Sequence, residues 1–161
     1  MIILDKKIYK LNLLGKGTTK IFSKDKNRMN NLELAAFKIN NFVVASGEIF
    51  SFNKILGERT LENGYKLAEY IDSGKIVKTI GGGICQVSTT LNIALNDVGV
   101  EILERHHHSA PVKYANKEQE AAVAYGTLDY KFKNTMDKNL LIKANIDQIG
   151  MKVEIEVYEE V

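Results

Sequence analysis

The 161-residue sequence has little of three things: it has one cysteine, one proline and no long apolar run. A single cysteine excludes a disulfide within the chain, so bridges carry no information about its redox compartment. No segment approaches the run of about 18 apolar residues that a membrane-spanning helix needs. The N-terminal residues 1–7 also lack the basic and then apolar pattern of a secretory signal, so we expect no membrane insertion by this chain.

The charge is also low. The 22 lysines and arginines nearly balance the 20 aspartates and glutamates, which leaves a formal net charge of +2. The basic residues are dispersed rather than gathered in one block, which argues against a nucleic-acid partner. A hydrophobic content of 45% is ordinary for a globular chain, and this length is typical of one domain with its own core.

The periodicity predicts an α+β fold: a single domain with a mostly antiparallel or mixed β-sheet and two main helices. We predict an N-terminal extended segment over residues 1–29, which joins one globular unit over residues 30–161. The Gly15–Gly17 segment is interpreted as a turn. The predicted helices cover residues 32–39 and 84–98, and the predicted strands cover residues 2–14, 18–23, 42–44, 47–52, 70–71, 75–77, 100–105, 121–125, 128–133, 140–146 and 151–158.

The only cysteine, Cys85, follows three glycines at the predicted start of the second helix. A helix N-terminus carries unpaired N–H groups and partial positive charge, which favour a thiolate over a thiol. A lone cysteine is more often a buried small apolar residue, but packing does not explain three consecutive glycines. We therefore predict that Cys85 is a nucleophile at the start of the second helix, with backbone N–H groups of Gly82 and Gly83 as oxyanion donors.

The only histidines form one cluster after a predicted strand. If residues 100–108 are extended, His106 and His108 share one face with Glu104, whereas His107 and Arg105 point to the other. Either member of the first pair is then a candidate base for the cysteine, oriented by the glutamate. The alternatives are a solvated strand end and, with weaker support, a zinc site that joins the two histidines to the thiolate.

Four segments of the chain resemble the VanW domain family in sequence, order and spacing, over roughly residues 30–157. The string from Gly81 to Thr90 is the most specific of them. The resembling segments are Gly47–Asn53, Gly81–Thr90, Glu104–Ser109 with Pro111 and Val112, and Tyr125–Gly126 followed by Asp129–Asn134.

The resemblance implies acyl transfer on peptidoglycan stem peptides through a cysteine thioester, in the manner of an L,D-transpeptidase with no cofactor. It also implies a place in the cell envelope, with the cytoplasm as the alternative because no export signal is recognised. A non-catalytic module that binds peptidoglycan or glycopeptides is the main competing hypothesis, and a zinc-dependent amidase is the third. The predicted catalytic residues are Cys85, His106 and His108, and the predicted substrate contacts are Arg105, Gln86 and Ser88.

Overall fold

A computed structural model describes residues 2–4, 7–72 and 75–161, with side chains described over residues 10–70 and 75–161. The fold is α+β, as predicted, with antiparallel strand pairs and three helices in the described ranges. The helices are α1 (Lys26–Ile39), α2 (Phe52–Leu56) and α3 (Cys85–Leu95). The strands are β1 (Ile2–Leu4), β2 (Lys7–Tyr9), β3 (Leu11–Lys20), β4 (Phe42–Val44), β5 (Ile49–Ser51), β6 (Leu67–Asp72), β7 (Lys75–Ile80), β8 (Glu101–Glu104), β9 (Lys131–Lys133), β10 (Leu140–Asp147) and β11 (Lys152–Glu160).

The main sheet has four antiparallel strands in the order β3-β11-β10-β4. In β11 the buried residues Val153, Ile155 and Val157 alternate with partly exposed ones, as expected for a strand with one face on the core. Helix α3 packs on β3 and β11, and α1 packs on β10 and on α3. The two long helices therefore lie side by side against the sheet. The core lies between the helices and the apolar face of the sheet.

The prediction of a turn at Gly15–Gly17 is wrong, because these residues lie inside the continuous strand β3. Their role is close packing against α3. A Cβ on Gly15 would lie 2.0 Å from the Ala94 carbonyl oxygen, and one on Gly17 would lie 2.3 Å from that of Thr90. The glycines therefore let the helix backbone approach the strand.

Helix α1 begins six residues before the predicted position. Asp25 is its N-cap, and the carboxylate accepts a hydrogen bond from the backbone N–H of Arg28 at 2.7 Å. The first two turns are polar, so the apolar periodicity becomes visible only from Leu32 onward. The early start places Arg28 in the helix.

A second sheet has the order β5-β9-β8 and completes the core. Phe50 on β5 and Phe132 on β9 stack with ring centroids 4.8 Å apart. The predicted strands over 121–125 and 128–130 do not form, and that stretch has one isolated bridge between Ala124 and Leu128. Instead of pairing as a meander, the chain between β8 and β9 returns to the start of α3.

The predicted hairpin is present as β6 and β7, which pair from Leu67–Ile80 to Asp72–Lys75. Its predicted turn includes residues 73–74, which lie outside the described residues. Strand β7 leads directly into the glycine turn before α3, so the chain runs from the hairpin through this turn to Cys85.

Candidate functional site

The glycine turn places Cys85 as the first residue of α3. Gly81 and Gly83 have φ angles of +91° and +102°, a region that strongly favours glycine. A Cβ on Gly82 would lie 2.2 Å from the Ala68 carbonyl oxygen on β6. Packing and backbone conformation therefore explain all three glycines, in addition to any role that their N–H groups have.

The Cys85 thiol is partly exposed and lies against Val123. Its sulfur is 3.4 Å from both the backbone N and the carbonyl O of Val123, so the N–H can donate to the sulfur and a thiol can donate to the carbonyl. Within the described residues, the backbone N–H groups of Gly83 and Cys85 make no hydrogen bond. Both N–H groups belong to the turn and first residue of α3, and they are the candidate oxyanion donors.

The structure does not support Gly82 as an oxyanion donor. Its N–H donates to the Thr79 carbonyl oxygen at 3.2 Å, within the turn that follows β7. Its own carbonyl accepts a hydrogen bond from the side-chain amide of Asn31 at 2.9 Å. Both backbone groups of Gly82 therefore hold the turn in place, whereas the role of Gly83 as an oxyanion donor stays a prediction.

His108 lies beside Cys85 and is paired with Glu120, a residue that the sequence did not single out. The Nδ1 atom of His108 is 2.5 Å from Oε1 of Glu120, and the two side chains are 9% and 2% exposed. This contact leaves Nε2, on the opposite side of the ring, for the sulfur. Burial lowers the pKa of His108, but the interactions with Cys85 and Glu120 outweigh it, so the pKa is raised above its ordinary value of 6.5.

His106 forms a separate pair, away from the thiol. Its Nε2 atom lies 2.9 Å from Oε2 of Glu104, and both side chains are about one-third exposed. No hydrogen bond joins His106 to Cys85 in the part of the chain that the structure describes. Strand β8 ends at Glu104, so the expected alternation over residues 100–108 does not continue to the histidines. Of the two predicted bases, His108 is the one that lies close enough to Cys85 for the thiol to raise its pKa.

Three side chains fix the returning segment that carries Glu120 and Val123. The Ser88 hydroxyl donates to the Ala121 carbonyl oxygen at 2.6 Å, and Thr89 Oγ1 accepts from the Ala121 N–H at 3.0 Å. Arg105 donates through Nη1 to the Glu120 carbonyl oxygen at 2.7 Å. Ser88 and Arg105 are both predicted to contact the substrate. Ser88 is fully buried, and in the structure both residues position this segment instead.

Gln86 is also buried, and both ends of its amide are occupied. Its Nε2 donates to Thr19 Oγ1 at 3.0 Å and to the Lys20 carbonyl oxygen at 2.9 Å. Its Oε1 accepts from Nη2 of Arg28 at 2.8 Å. Gln86 therefore orients a guanidinium group, and it has no free polar atom to offer a substrate.

Two arginines pack on the glycine turn. A Cβ on Gly83 would lie 2.7 Å from Cγ of Arg28, and one on Gly81 would lie 2.7 Å from Cγ of Arg59. Burial lowers the pKa of both guanidinium groups, and the nearby Cys85 partly opposes this shift in each case. Two desolvated guanidinium groups therefore lie close to Cys85.

Tyr114, on the loop after the histidines, lies beside Thr89 and Arg28. Burial raises the pKa of its phenol, and so does the nearby Cys85. The phenol therefore stays protonated at neutral pH and is a hydrogen-bond donor at the site. The adjoining pocket is lined by Pro111, Ala115, Asn116, Lys117 and Glu120.

In the described ranges, no group of three or more His, Cys, Asp and Glu side chains is placed to hold a metal ion. The ligand set considered for zinc is not assembled, since His106 lies with Glu104. None of the helices in the described ranges is long and apolar enough to cross a membrane.

Cys85 at the start of α3 and the buried pair of His108 and Glu120 form the candidate site of this domain. The family model described as VanW like protein matches residues 27–157, and the chain belongs to this family.

Two curated relatives are similar to the chain. It is 40% identical over 131 residues to the uncharacterized protein YoaR of Bacillus subtilis (strain 168), covering 81% of this chain and 43% of that protein. It is 29% identical over 126 residues to the vancomycin B-type resistance protein VanW of Enterococcus faecalis (strain ATCC 700802 / V583), covering 75% of this chain and 46% of that protein. The chain therefore spans less than half the length of these relatives, and no solved structure matches it significantly.

Proposed function

We propose that this domain is a cysteine acyltransferase in which Cys85, His108 and Glu120 act together. The observation that carries the proposal is the buried contact of 2.5 Å between His108 and Glu120, next to a partly exposed thiol. A thiol nucleophile, a base within reach of it and a group that orients the base are the parts that covalent acyl transfer requires.

The first half of the proposed reaction forms a thioester. The Cys85 thiolate attacks a peptide carbonyl carbon, and the N–H groups of Gly83 and Cys85 stabilise the resulting oxyanion. A donor of this kind contributes about 3 kcal/mol in other enzymes. The C–N bond then breaks, and the His108 imidazolium gives its proton to the leaving amine.

The second half releases the acyl group. An acceptor amine attacks the thioester carbonyl, His108 takes the proton from that amine, and the C–S bond breaks to restore the thiolate. If water replaces the amine, the product is a free carboxylate. The same residues therefore support either a transpeptidase or a carboxypeptidase, and the acceptor decides between them.

We propose peptidoglycan stem peptides as substrates, cleaved between the third residue and a terminal D-residue in the manner of an L,D-transpeptidase. Family membership supports this choice, together with the name of one relative, a vancomycin B-type resistance protein. Such a substrate also implies that the domain acts in the cell envelope.

The test is to incubate the protein with tetrapeptide-stem muropeptides and analyse the products by mass spectrometry. Cross-linked dimers that disappear with Cys85→Ala and His108→Ala, but persist with His107→Ala, would support transpeptidation. Tripeptide stems alone would indicate a carboxypeptidase. Unchanged muropeptides that nevertheless bind the protein would contradict catalysis and favour the non-catalytic binding module.

A further inference from the structure

Arg28 has an unsatisfied donor beside the thiol. Its Nη1 atom is shielded from solvent and makes no hydrogen bond within the described residues, whereas Nη2 is held by Gln86 at 2.8 Å. A bound acceptor would satisfy this donor, which otherwise stays buried without a hydrogen bond. Gln86 thus fixes the guanidinium in position, while its Nη1 donors have no partner among the described residues.

Arg59 lies on the other end of the same glycine turn. Its Nη1 donates to the Gly57 carbonyl oxygen and its Nη2 to Asn53 Oδ1, each at 2.6 Å. Its guanidinium carbon is also 5.8 Å from the centre of the Tyr125 ring. In the described part of the chain neither Arg28 nor Arg59 forms an ion pair with a carboxylate. Two desolvated cations therefore lie beside one cysteine without a direct ion pair in that range, although Asp25 acts on Arg28 and Asp129 acts on Arg59 from a greater distance.

We propose that Arg28, assisted by Arg59, binds a carboxylate of the acyl donor next to the carbonyl that Cys85 attacks. Guanidinium groups suit carboxylates because their planar N–H donors match the two oxygens. This inference rests on the proposed function for its substrate, and it restricts that substrate to peptides with a free carboxylate close to the cleaved bond.

The test compares the alkylation of Cys85 by iodoacetate, which carries a carboxylate, with alkylation by neutral iodoacetamide. The quantity measured is the ratio of the two rate constants, in the native protein and in the urea-unfolded chain. We expect the native ratio to exceed the unfolded ratio by about tenfold or more, with saturation by iodoacetate. Arg28→Gln should bring the ratio to within about twofold of the unfolded value.

Three further variants make the comparison specific. Arg28→Lys keeps the charge without the planar donors and should retain only part of the preference. Arg59→Gln should lower the ratio less than Arg28→Gln, because its donors are already bonded. Lys133→Gln on β9 removes one positive charge away from the glycine turn and should leave the ratio unchanged.

Two outcomes would overturn the proposal. Equal ratios in the native and the unfolded protein would show that no carboxylate site exists. If Arg28→Gln slowed both reagents equally, the arginine would act on the thiol alone. Because alkylation needs no acyl transfer, a protein that fails with muropeptides but keeps the iodoacetate preference would contradict the proposed function and leave this inference standing.

Discussion

Glu120→Gln is the substitution that most sharply tests how His108 is activated. It keeps the shape of the side chain and removes the charge that faces Nδ1 of His108. A hydrogen bond to a charged group contributes about 1.5–3 kcal/mol, and each 1.4 kcal/mol corresponds to about a factor of ten in rate. Since the Glu120 side chain is 2% exposed, water screens little of this contribution. We therefore expect turnover to fall by about 10- to 150-fold.

The same substitution should change a titration that can be measured without a substrate. Glu120 is one of the two groups that raise the pKa of His108, so its loss should lower that pKa. The assay is the NMR titration of the His108 ring protons in the native protein and in Glu120→Gln. Glu104→Gln is the matched control, because it changes the other glutamate–histidine pair, which is partly exposed and away from Cys85. An unchanged His108 titration in Glu120→Gln, or an equal loss of turnover in both variants, would refute the reasoning.

Three other predictions follow from the fold and the site. His106→Ala and His107→Ala should each keep most of the turnover that His108→Ala loses, since His108 is the histidine placed beside the thiol; equal losses in a muropeptide assay would contradict this placement. Because the folded pKa of His108 is raised, its stabilising contribution is complete below the ordinary value of 6.5 and is lost as the pH rises through the folded pKa. The difference in unfolding free energy between the native protein and His108→Gln should therefore shrink with rising pH in urea titrations, and a difference that grows would oppose the assignment. Gly17→Ala should cost about 1–3 kcal/mol of stability, because its Cβ would meet the Thr90 carbonyl oxygen, whereas Lys16→Ala should cost far less; equal midpoints of thermal unfolding would disprove the packing argument.

Local patterns made several elements predictable. Helix α3 has an apolar stripe and is preceded by a glycine. The apolar patterns of β10 and β11 are long enough to define strands. The hairpin of β6 and β7 was visible from its turn residues. In each case the residues that determine the element are close together in the sequence.

Long-range contacts explain what the sequence did not reveal. The reason for glycine at position 17 is a helix more than 70 residues away, so a turn was the natural local interpretation. Glu120 follows the polar residues Lys117–Gln119 and resembles a solvent-exposed glutamate until the chain folds back onto α3. Arg28 and Arg59 likewise gain their roles only by packing on the glycine turn. The sequence singles out Cys85 and His108 as candidates because a cysteine follows three glycines and the histidines form one cluster.

The most direct test of the central claim is intact-mass spectrometry of the protein after brief incubation with tetrapeptide-stem muropeptides. The account predicts a covalent acyl adduct on Cys85, with loss of the terminal residue from the stem. The adduct should be absent with Cys85→Ala and should form more slowly with Glu120→Gln than with Glu104→Gln. A protein that stays at its unmodified mass while Cys85 reacts freely with iodoacetamide would contradict acyl transfer through this thiol.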